Sequence, residues 1–295
     1  MTRQDDANRE TQAPPALTLS CQEGVLERSG SHIHYWLAGP EQAPVVAFTP
    51  GATMDHRMFD HQVSTVVGAG YRALTWDPRG HGLSRPMGEG FSVRAASEDL
   101  LAILDHLGVR RFALVGQSLG GNVAQELAFC HPERVAALAV IGCTCNTMLP
   151  SWLGLMALRL SPLAFRLWPY GDLKRRVAQS VSSRPDVQEY AGEAIGHVSR
   201  KEFLAIWDAA AHVLHEEPGY RIERPLLITH GEADRLGNIS KIAPDWARRD
   251  PHSRYVVIPG AGHNANQDNP TYFDRLLLEF LAEHWPGTSE PGGGV

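Results

Sequence analysis

Hydrophobic residues occur along the chain in two alternating patterns. Short, nearly continuous apolar runs are typical of strands buried on both faces, and longer segments with apolar residues every three or four positions are typical of helices. Strand-like runs lie near 45–49, 71–76, 112–115, 135–141, 225–229 and 255–258, and helix-like segments lie near 60–68, 93–107, 119–130, 240–249 and 271–285. This alternation predicts an α/β fold, with a mostly parallel central sheet flanked by helices. Segments 24–27 and 32–37 precede it and predict a hairpin.

The alternation is interrupted between 146 and 220. No strand-like run occurs there, and helical patterns cover 152–160, then 163–168 after Pro162, and 201–207. We therefore predict a helical cap at 146–220, inserted between two parts of one core at 20–145 and 221–286. The polar or glycine-rich ends, 1–19 and 287–295, predict disordered tails.

Composition excludes several classes of partner. The 295 residues are 43% hydrophobic and 20% charged, with a formal net charge of -6, as in an ordinary globular protein. A negative net charge gives no indication that the protein binds nucleic acid or an anionic membrane, since both attract basic proteins. No apolar run reaches the roughly 18 residues of a membrane span, and residues 1–20 lack the apolar stretch of a signal peptide. We expect a cytoplasmic protein without nucleic-acid or membrane partners, as a monomer or a homodimer.

The cysteines predict neither disulfides nor a metal site. They are Cys21, Cys130, Cys143 and Cys145, and so small a number favours free thiols in a reducing compartment. The pair Cys143 and Cys145 lacks the spacing of a zinc site, so we expect no metal.

A candidate nucleophile lies between a strand and a helix. Residues 116–120 read Gly-Gln-Ser-Leu-Gly, and G-x-S-x-G in this context describes a nucleophile elbow, a sharp turn that exposes the serine hydroxyl. Because a serine hydroxyl is a poor nucleophile at neutral pH, Ser118 would need a base within hydrogen-bond reach.

An acid and a histidine follow in the order that the elbow requires, which is serine, acid, histidine. Asp234 comes just after the apolar run at 225–229, and His263 follows the run at 255–258. Both lie beyond the carboxyl end of a predicted strand, where open α/β sheets build their sites. Glu232 is the alternative acid.

These motifs resemble those of the α/β-hydrolase fold superfamily, and in particular its capped serine esterases and lactonases. The resemblance extends over about 22–285 and includes 49–52 (Thr-Pro-Gly-Ala), 77–84 (Asp-Pro-Arg-Gly-His-Gly-Leu-Ser) and 131–135 (His-Pro-Glu-Arg-Val). Many relatives have His-Gly where this chain has Pro50-Gly51. The resemblance implies a catalytic triad of Ser118, Asp234 and His263, and an oxyanion hole formed by the backbone amides of Ala52 and Leu119. It implies no cofactor.

The expected reaction is hydrolysis of a carboxylic ester or lactone through an acyl-enzyme on Ser118. Other triad chemistry stays open: hydrolysis of a C–C, thioester or amide bond, or cofactor-free peroxidation. A non-catalytic receptor for a small molecule is the alternative outside catalysis. The partner is a small, partly hydrophobic substrate, in a pocket predicted to be lined by Gln117, Met54, Trp152, Met156 and Trp207.

Overall fold

The computed structural model describes residues 20–287, so the predicted tails lie outside the described residues except for Gly287. Eight strands form one sheet in the order β1-β2-β4-β3-β5-β6-β7-β8. Their bounds are β1 Cys21–Arg28, β2 Ser31–Ala38, β3 Val45–Thr49, β4 Arg72–Trp76, β5 Phe112–Gln117, β6 Val135–Ile141, β7 Leu226–Gly231 and β8 Ser253–Ile258. The hairpin β1–β2 and the pair β2–β4 are antiparallel, and all other pairs are parallel.

Ten α-helices accompany the sheet in the described part of the chain. They are α1 Asp60–Gly68, α2 Val93–His106, α3 Leu119–Cys130, α4 Trp152–Leu167, α5 Tyr170–Ser180, α6 Pro185–Gly196, α7 Arg200–Ala211, α8 Ile239–Arg249, α9 Ala265–Asp268 and α10 Pro270–His284. Among residues 20–287, no helix has both the length and the apolarity needed to cross a membrane.

Helices cover both faces of the sheet, which explains the apolar runs in the sequence. Every residue of β3, β5, β6 and β7 is buried. One core lies between the sheet and α2, α3 and α8, and the other lies beneath α1 and α10. The predicted α/β fold is therefore confirmed. Because the central strands are parallel, their carboxyl ends share one edge of the sheet.

The segment between β6 and β7 contains four helices, and α4 packs on α7 while α5 packs on α6. The helical patterns identified at 152–160 and 163–168 belong to one helix, because α4 continues through Pro162. Proline removes the N–H that would bond to the carbonyl four residues earlier. Here the Ser161 hydroxyl donates to that carbonyl, the oxygen of Leu158, at 2.7 Å. The helix thus recovers the hydrogen bond that its proline removes.

Candidate active site

Ser118 lies in the turn between β5 and α3. Its backbone conformation (φ 49°, ψ -118°) is one that residues other than glycine rarely adopt. The flanking glycines permit the turn. A Cβ at Gly120 would lie 2.1 Å from the carbonyl oxygen of Thr49, and one at Gly116 would lie 2.4 Å from that of Gly120. The amide of Ser118 donates to the Ile141 carbonyl of β6 at 2.8 Å, which fixes the turn to the sheet.

His263 and Asp234 meet although 29 residues separate them. Asp234 follows β7, His263 follows β8, and His263 Nδ1 lies 2.9 Å from Asp234 Oδ2. Both side chains are buried. Because a carboxylate can only accept, Nδ1–H donates and Nε2 is left to accept a proton. The other oxygen of Asp234 accepts from the Leu236 amide at 2.9 Å. The alternative acid, Glu232, accepts from the Gly260 amide.

Gly142 lies directly against this pair, and the sequence analysis did not assign it to the site. It follows β6 with φ +56°, and a Cβ there would lie 3.1 Å from His263 Nδ1 and 3.3 Å from Asp234 Oδ2. A side chain would therefore press on the bond between the histidine and the carboxylate. The position immediately after a parallel strand was the available clue.

Ser118 and His263 line the same cavity, whose volume is about 480 Å³. No hydrogen bond among the described residues joins the two side chains, and bonds of this kind are often long before a substrate binds. The structure thus brings histidine and acid into contact and places the serine in the wall of the cavity that the histidine also lines.

Two backbone amides beside Ser118 have no hydrogen-bond acceptor among residues 20–287. They belong to Leu119, the first residue of α3, and to Ala52, in the loop after β3. Ala52 lines the cavity beside Ser118. The Leu119 amide attracts negative charge because it lies at a helix N-terminus, and together with the Ala52 amide it suits a developing oxyanion.

Three of the five predicted pocket residues, Gln117, Met54 and Trp207, line the cavity. The prediction for Trp152 and Met156 is corrected by the structure, because both point away from the cavity and are 73% and 47% exposed. The rotation of α4 is the reason, since Gly154, Ala157 and Leu158, on the opposite side of the helix, line the cavity instead.

The cavity wall includes polar residues that the sequence analysis missed. Asn122 lies one helical turn after Ser118, and this i+4 spacing could have identified it. Its amide donates to Asn146 Oδ1 at 2.7 Å. Cys143 also lines the cavity, and burial raises the pKa of its thiol well above the usual range. It is therefore a neutral wall residue rather than a nucleophile.

Gln117 supports the histidine loop as well as the cavity. Its Nε2 donates to the carbonyl oxygen of His263 at 3.1 Å and to Asn264 Oδ1 at 3.3 Å. The side chain is buried, so these bonds fix the loop that carries His263 against β5.

The loop after Ala52 is held from two sides. Tyr190 of α6 donates to the carbonyl oxygen of Asp55 at 3.1 Å, and burial raises the pKa of Tyr190 well above its usual range. His56 lies 3.0 Å from Asp77, and the bond raises the pKa of the imidazole against the opposing effect of burial.

In the described part of the chain, no group of three or more His, Cys, Asp or Glu side chains is placed to hold a metal ion.

Comparison with known proteins gives a consistent result. A family model described as alpha/beta hydrolase fold matches residues 44–270. The chain is 31% identical over 280 residues to the bifunctional esterase/perhydrolase of Acinetobacter calcoaceticus, covering 87% of this chain and 98% of that one. It is 25% identical over 287 residues to the AB hydrolase superfamily protein YfhM of Bacillus subtilis, covering 89% and 98%. The enol-lactonase structure from Burkholderia xenovorans superposes with a TM-score of 0.76 at 22% identity, covering 88% of this chain and all of that one.

Proposed function

Because the chain belongs to the α/β hydrolase fold family, we propose that it hydrolyses a carboxylic ester or lactone through an acyl-enzyme on Ser118. The observation that carries this proposal is the 2.9 Å contact between His263 and Asp234, beside a cavity that Ser118 also lines. A base oriented by an acid, in the same cavity as a serine, is the arrangement that activates a hydroxyl.

In the acylation step, Ser118 Oγ attacks the carbonyl carbon of the substrate while His263 Nε2 takes the hydroxyl proton. The imidazolium that forms is stabilised by the buried Asp234 carboxylate. The negative charge moves to the carbonyl oxygen, where the amides of Leu119 and Ala52 donate to it. The C–O bond then breaks, and His263 gives its proton to the departing alkoxide.

In the deacylation step, water takes the place of the alcohol. His263 removes a proton from water, the hydroxide attacks the acyl carbon, and the same two amides stabilise the second oxyanion. Collapse of this intermediate returns the proton to Ser118 Oγ and releases a carboxylic acid. With a lactone, alcohol and acid leave as one hydroxy acid.

The cavity favours a substrate with an apolar portion. Much of its wall is aliphatic or aromatic, formed by α4, α5, α7, α8 and the loops beside them: Met54, Met148, Leu158, Val177, Val181, Trp207, Val213, Leu214, Leu236, Ile239 and Ile242. Apolar pockets with a few placed polar groups bind small molecules by burying their hydrocarbon surface. A volume of about 480 Å³ suits a small acyl group or lactone ring rather than a polymer.

Perhydrolysis is a second candidate, favoured by the name of the Acinetobacter relative, a bifunctional esterase/perhydrolase. Hydrogen peroxide would replace water in the deacylation step and release a peracid, with the proton transfers through His263 unchanged. Peracid formation from an ester and peroxide, measured beside hydrolysis, separates the two activities.

The proposal is tested by labelling the full chain with a fluorophosphonate and measuring intact mass. We expect one adduct on wild type, none on Ser118→Ala, and one on Ser180→Ala, since Ser180 lines the cavity outside the elbow. A panel of nitrophenyl esters and lactones then ranks substrates. Asp234→Asn should lower kcat by roughly 10⁴, as loss of the acid does in other serine hydrolases.

Two results would refute the proposal. One is labelling or ester turnover that persists in Ser118→Ala, which would require another nucleophile. The other is a folded wild-type protein that forms no adduct and turns over no ester or lactone while small molecules stabilise it against heat, which would indicate a receptor.

A further inference from the structure

Helix α4 has an exposed apolar face on its outer side, which we call the α4 outer face. Six residues of the helix form a stripe, in which Leu153 and the four that follow it are three or four positions apart and Trp152 adjoins Leu153. Three of the six are strongly exposed: Trp152 at 73%, Leu153 at 62% and Leu167 at 84%. The α4 outer face consists of Trp152, Leu153, Met156, Leu160, Leu163 and Leu167, with Leu149 and Trp168 exposed at its two ends. Contiguous exposed apolar patches mark interaction sites more often than isolated residues do.

The stripe is not the cavity-facing side of the helix. Each residue turns an α-helix by 100°, so Gly154 and Leu158, which line the cavity, lie opposite Met156 and Leu163. Leu158 and Phe165 pack against the core. The helix therefore fulfils its packing role with one side, and its outer side contacts nothing among the described residues that buries it.

Positive charge borders this apolar face along one flank and at the carboxyl end of the helix. Arg159 and Arg166 are seven residues apart, so they lie on the same flank of the stripe, and both are exposed. At the carboxyl end of α4, the Arg176 guanidinium lies 5.3 Å from the centre of the Trp168 ring. Arg200 donates to the carbonyl oxygens of Arg166 and Trp168, so it lies at the same end.

Local charge here is opposite to that of the whole chain. Residues 149–176 contain five basic side chains and one acidic side chain, a local net charge of +4, whereas the chain carries -6. The acidic residue, Asp172, is paired with Arg175 at 2.7 Å. The chain-wide charge led us to expect no membrane partner, but it does not describe this surface.

We propose that the α4 outer face docks on an anionic lipid surface, with its leucine and tryptophan side chains in the acyl boundary and the arginines among the headgroups. Helices with an apolar face beside basic residues bind membranes in this way, lying in the interface without spanning it. Each arginine near an anionic surface strengthens binding about fivefold.

A second copy of the chain fits this surface less well. A helix of 16 residues is about 24 Å long and about 10 Å wide, so its face offers roughly 240 Å², whereas a stable dimer needs about 800 Å² per partner. Two copies meeting here would also bring like charges together around the apolar stripe. A lipid surface needs no matching patch and supplies the opposite charge.

Docking would bring the cavity close to the lipid, because the inner side of α4 forms part of its wall. The docking itself requires no chemistry at Ser118. It can therefore be measured in Ser118→Ala, and a failure of docking is distinguishable from a failure of the proposed hydrolysis.

The test is flotation of the full chain with vesicles of phosphatidylcholine alone, or with about 30% phosphatidylglycerol, at low and high salt. We expect binding to the anionic vesicles that weakens with salt. Leu160→Glu with Leu163→Glu should lower binding by at least about tenfold, and Arg159→Gln with Arg166→Gln by about twentyfold or more.

Leu83→Glu is the matched control, because Leu83 is 55% exposed and Leu160 is 54% exposed. Compared with Leu160→Glu alone, it adds the same single charge elsewhere on the surface and should leave binding unchanged. Unchanged circular dichroism in each variant shows that the fold is intact. Equal binding to neutral and anionic vesicles, no binding at all, or dimers of the wild type that Leu160→Glu dissociates would each overturn the proposal.

Discussion

At the scale of single residues, the contact between His263 and Asp234 depends on the missing side chain of Gly142. The Gly142→Ala methyl group would meet His263 Nδ1 at 3.1 Å in a backbone with positive φ. We expect kcat/KM to fall about 10- to 100-fold, since small displacements of a catalytic group are costly. The free energy of unfolding should fall by about 1–2 kcal/mol from the φ strain. Ester kinetics and thermal unfolding measure the two effects.

Gly108→Ala is the control for Gly142→Ala, because it introduces the same backbone strain at positive φ without a side-chain contact. Gly108 has φ +69°, but a Cβ there would meet nothing within 4 Å, and it follows α2, outside the cavity wall. This variant should lose similar stability and keep full activity. If Gly142→Ala retained wild-type kcat/KM, the crowding argument would be wrong.

Sequence reasoning at this scale can place residues whose position is set by a local motif. Ser118, Asp234 and His263 each follow a recognisable strand, and the structure puts all three beside one cavity or in contact with a residue that lines it. Gly142 was missed because its role depends on the path of two other loops. Trp152 and Met156 were misplaced because apolar periodicity identifies a helix but cannot tell which of two apolar sides faces inward.

At the scale of elements, α4 shows how a proline is tolerated inside a helix. Pro162 lies between the two helical patterns of the sequence, and proline removes one backbone donor and usually ends or kinks a helix. In the structure, Trp207 Nε1 donates to Ser161 Oγ at 3.0 Å, and Ser161 donates to the Leu158 carbonyl. The Ser161 hydroxyl therefore satisfies the Leu158 carbonyl within α4 and also links α4 to α7. Such a tertiary contact is invisible in the local sequence.

Ser161→Ala tests this arrangement. It leaves the Leu158 carbonyl and the Trp207 indole, both half-buried, without their partners, and leaving a polar group unpaired away from bulk water costs about 1–3 kcal/mol. We expect denaturant unfolding to show a loss in this range. The KM for esters should rise because Leu158 and Trp207 line the cavity.

Ser97→Ala provides the comparison for that variant. Ser97 also donates to the carbonyl three residues earlier, at 2.8 Å, but the helix around it contains no proline. The Arg94 carbonyl keeps its intrahelical bond, so the cost should be about 0.5 kcal/mol. Equal losses in the two variants would contradict the role given to Ser161.

At the scale of the whole molecule, the parallel sheet collects residues that are far apart in sequence. Ser118, Asp234 and His263 span 146 positions, yet each follows a strand of the same sheet and lies at the same edge. The fold class could be predicted because buried strands and amphipathic helices have different periods. The strand order could not be read in the same way, since it is set by how the crossover helices pack on the two faces.

One buried group links the stability of the whole fold to pH. His81 is nearly inaccessible, its Nδ1 lies 3.2 Å from the carbonyl oxygen of Arg79, and its Nε2 has no partner among the described residues. Burial lowers the pKa of this imidazole from 6.5 to about 4, because a proton on Nε2 would add a charge with no acceptor beside it.

The consequence is a loss of stability in mild acid. Between pH 6.5 and 4 the unfolded chain binds a proton at His81 that the folded chain does not, so the free energy of unfolding falls as the pH falls. We expect His81 to contribute about 3 kcal/mol to the difference in the free energy of unfolding between pH 7 and pH 4.

His81→Asn, whose amide nitrogen can replace the Nδ1 donor, should show a shallower pH dependence of the free energy of unfolding in urea. His106→Asn, at the exposed end of α2, should follow the wild type. Parallel curves for wild type and His81→Asn would mean that His81 is protonated within the folded protein, and that its burial does not set the acid limit of the fold.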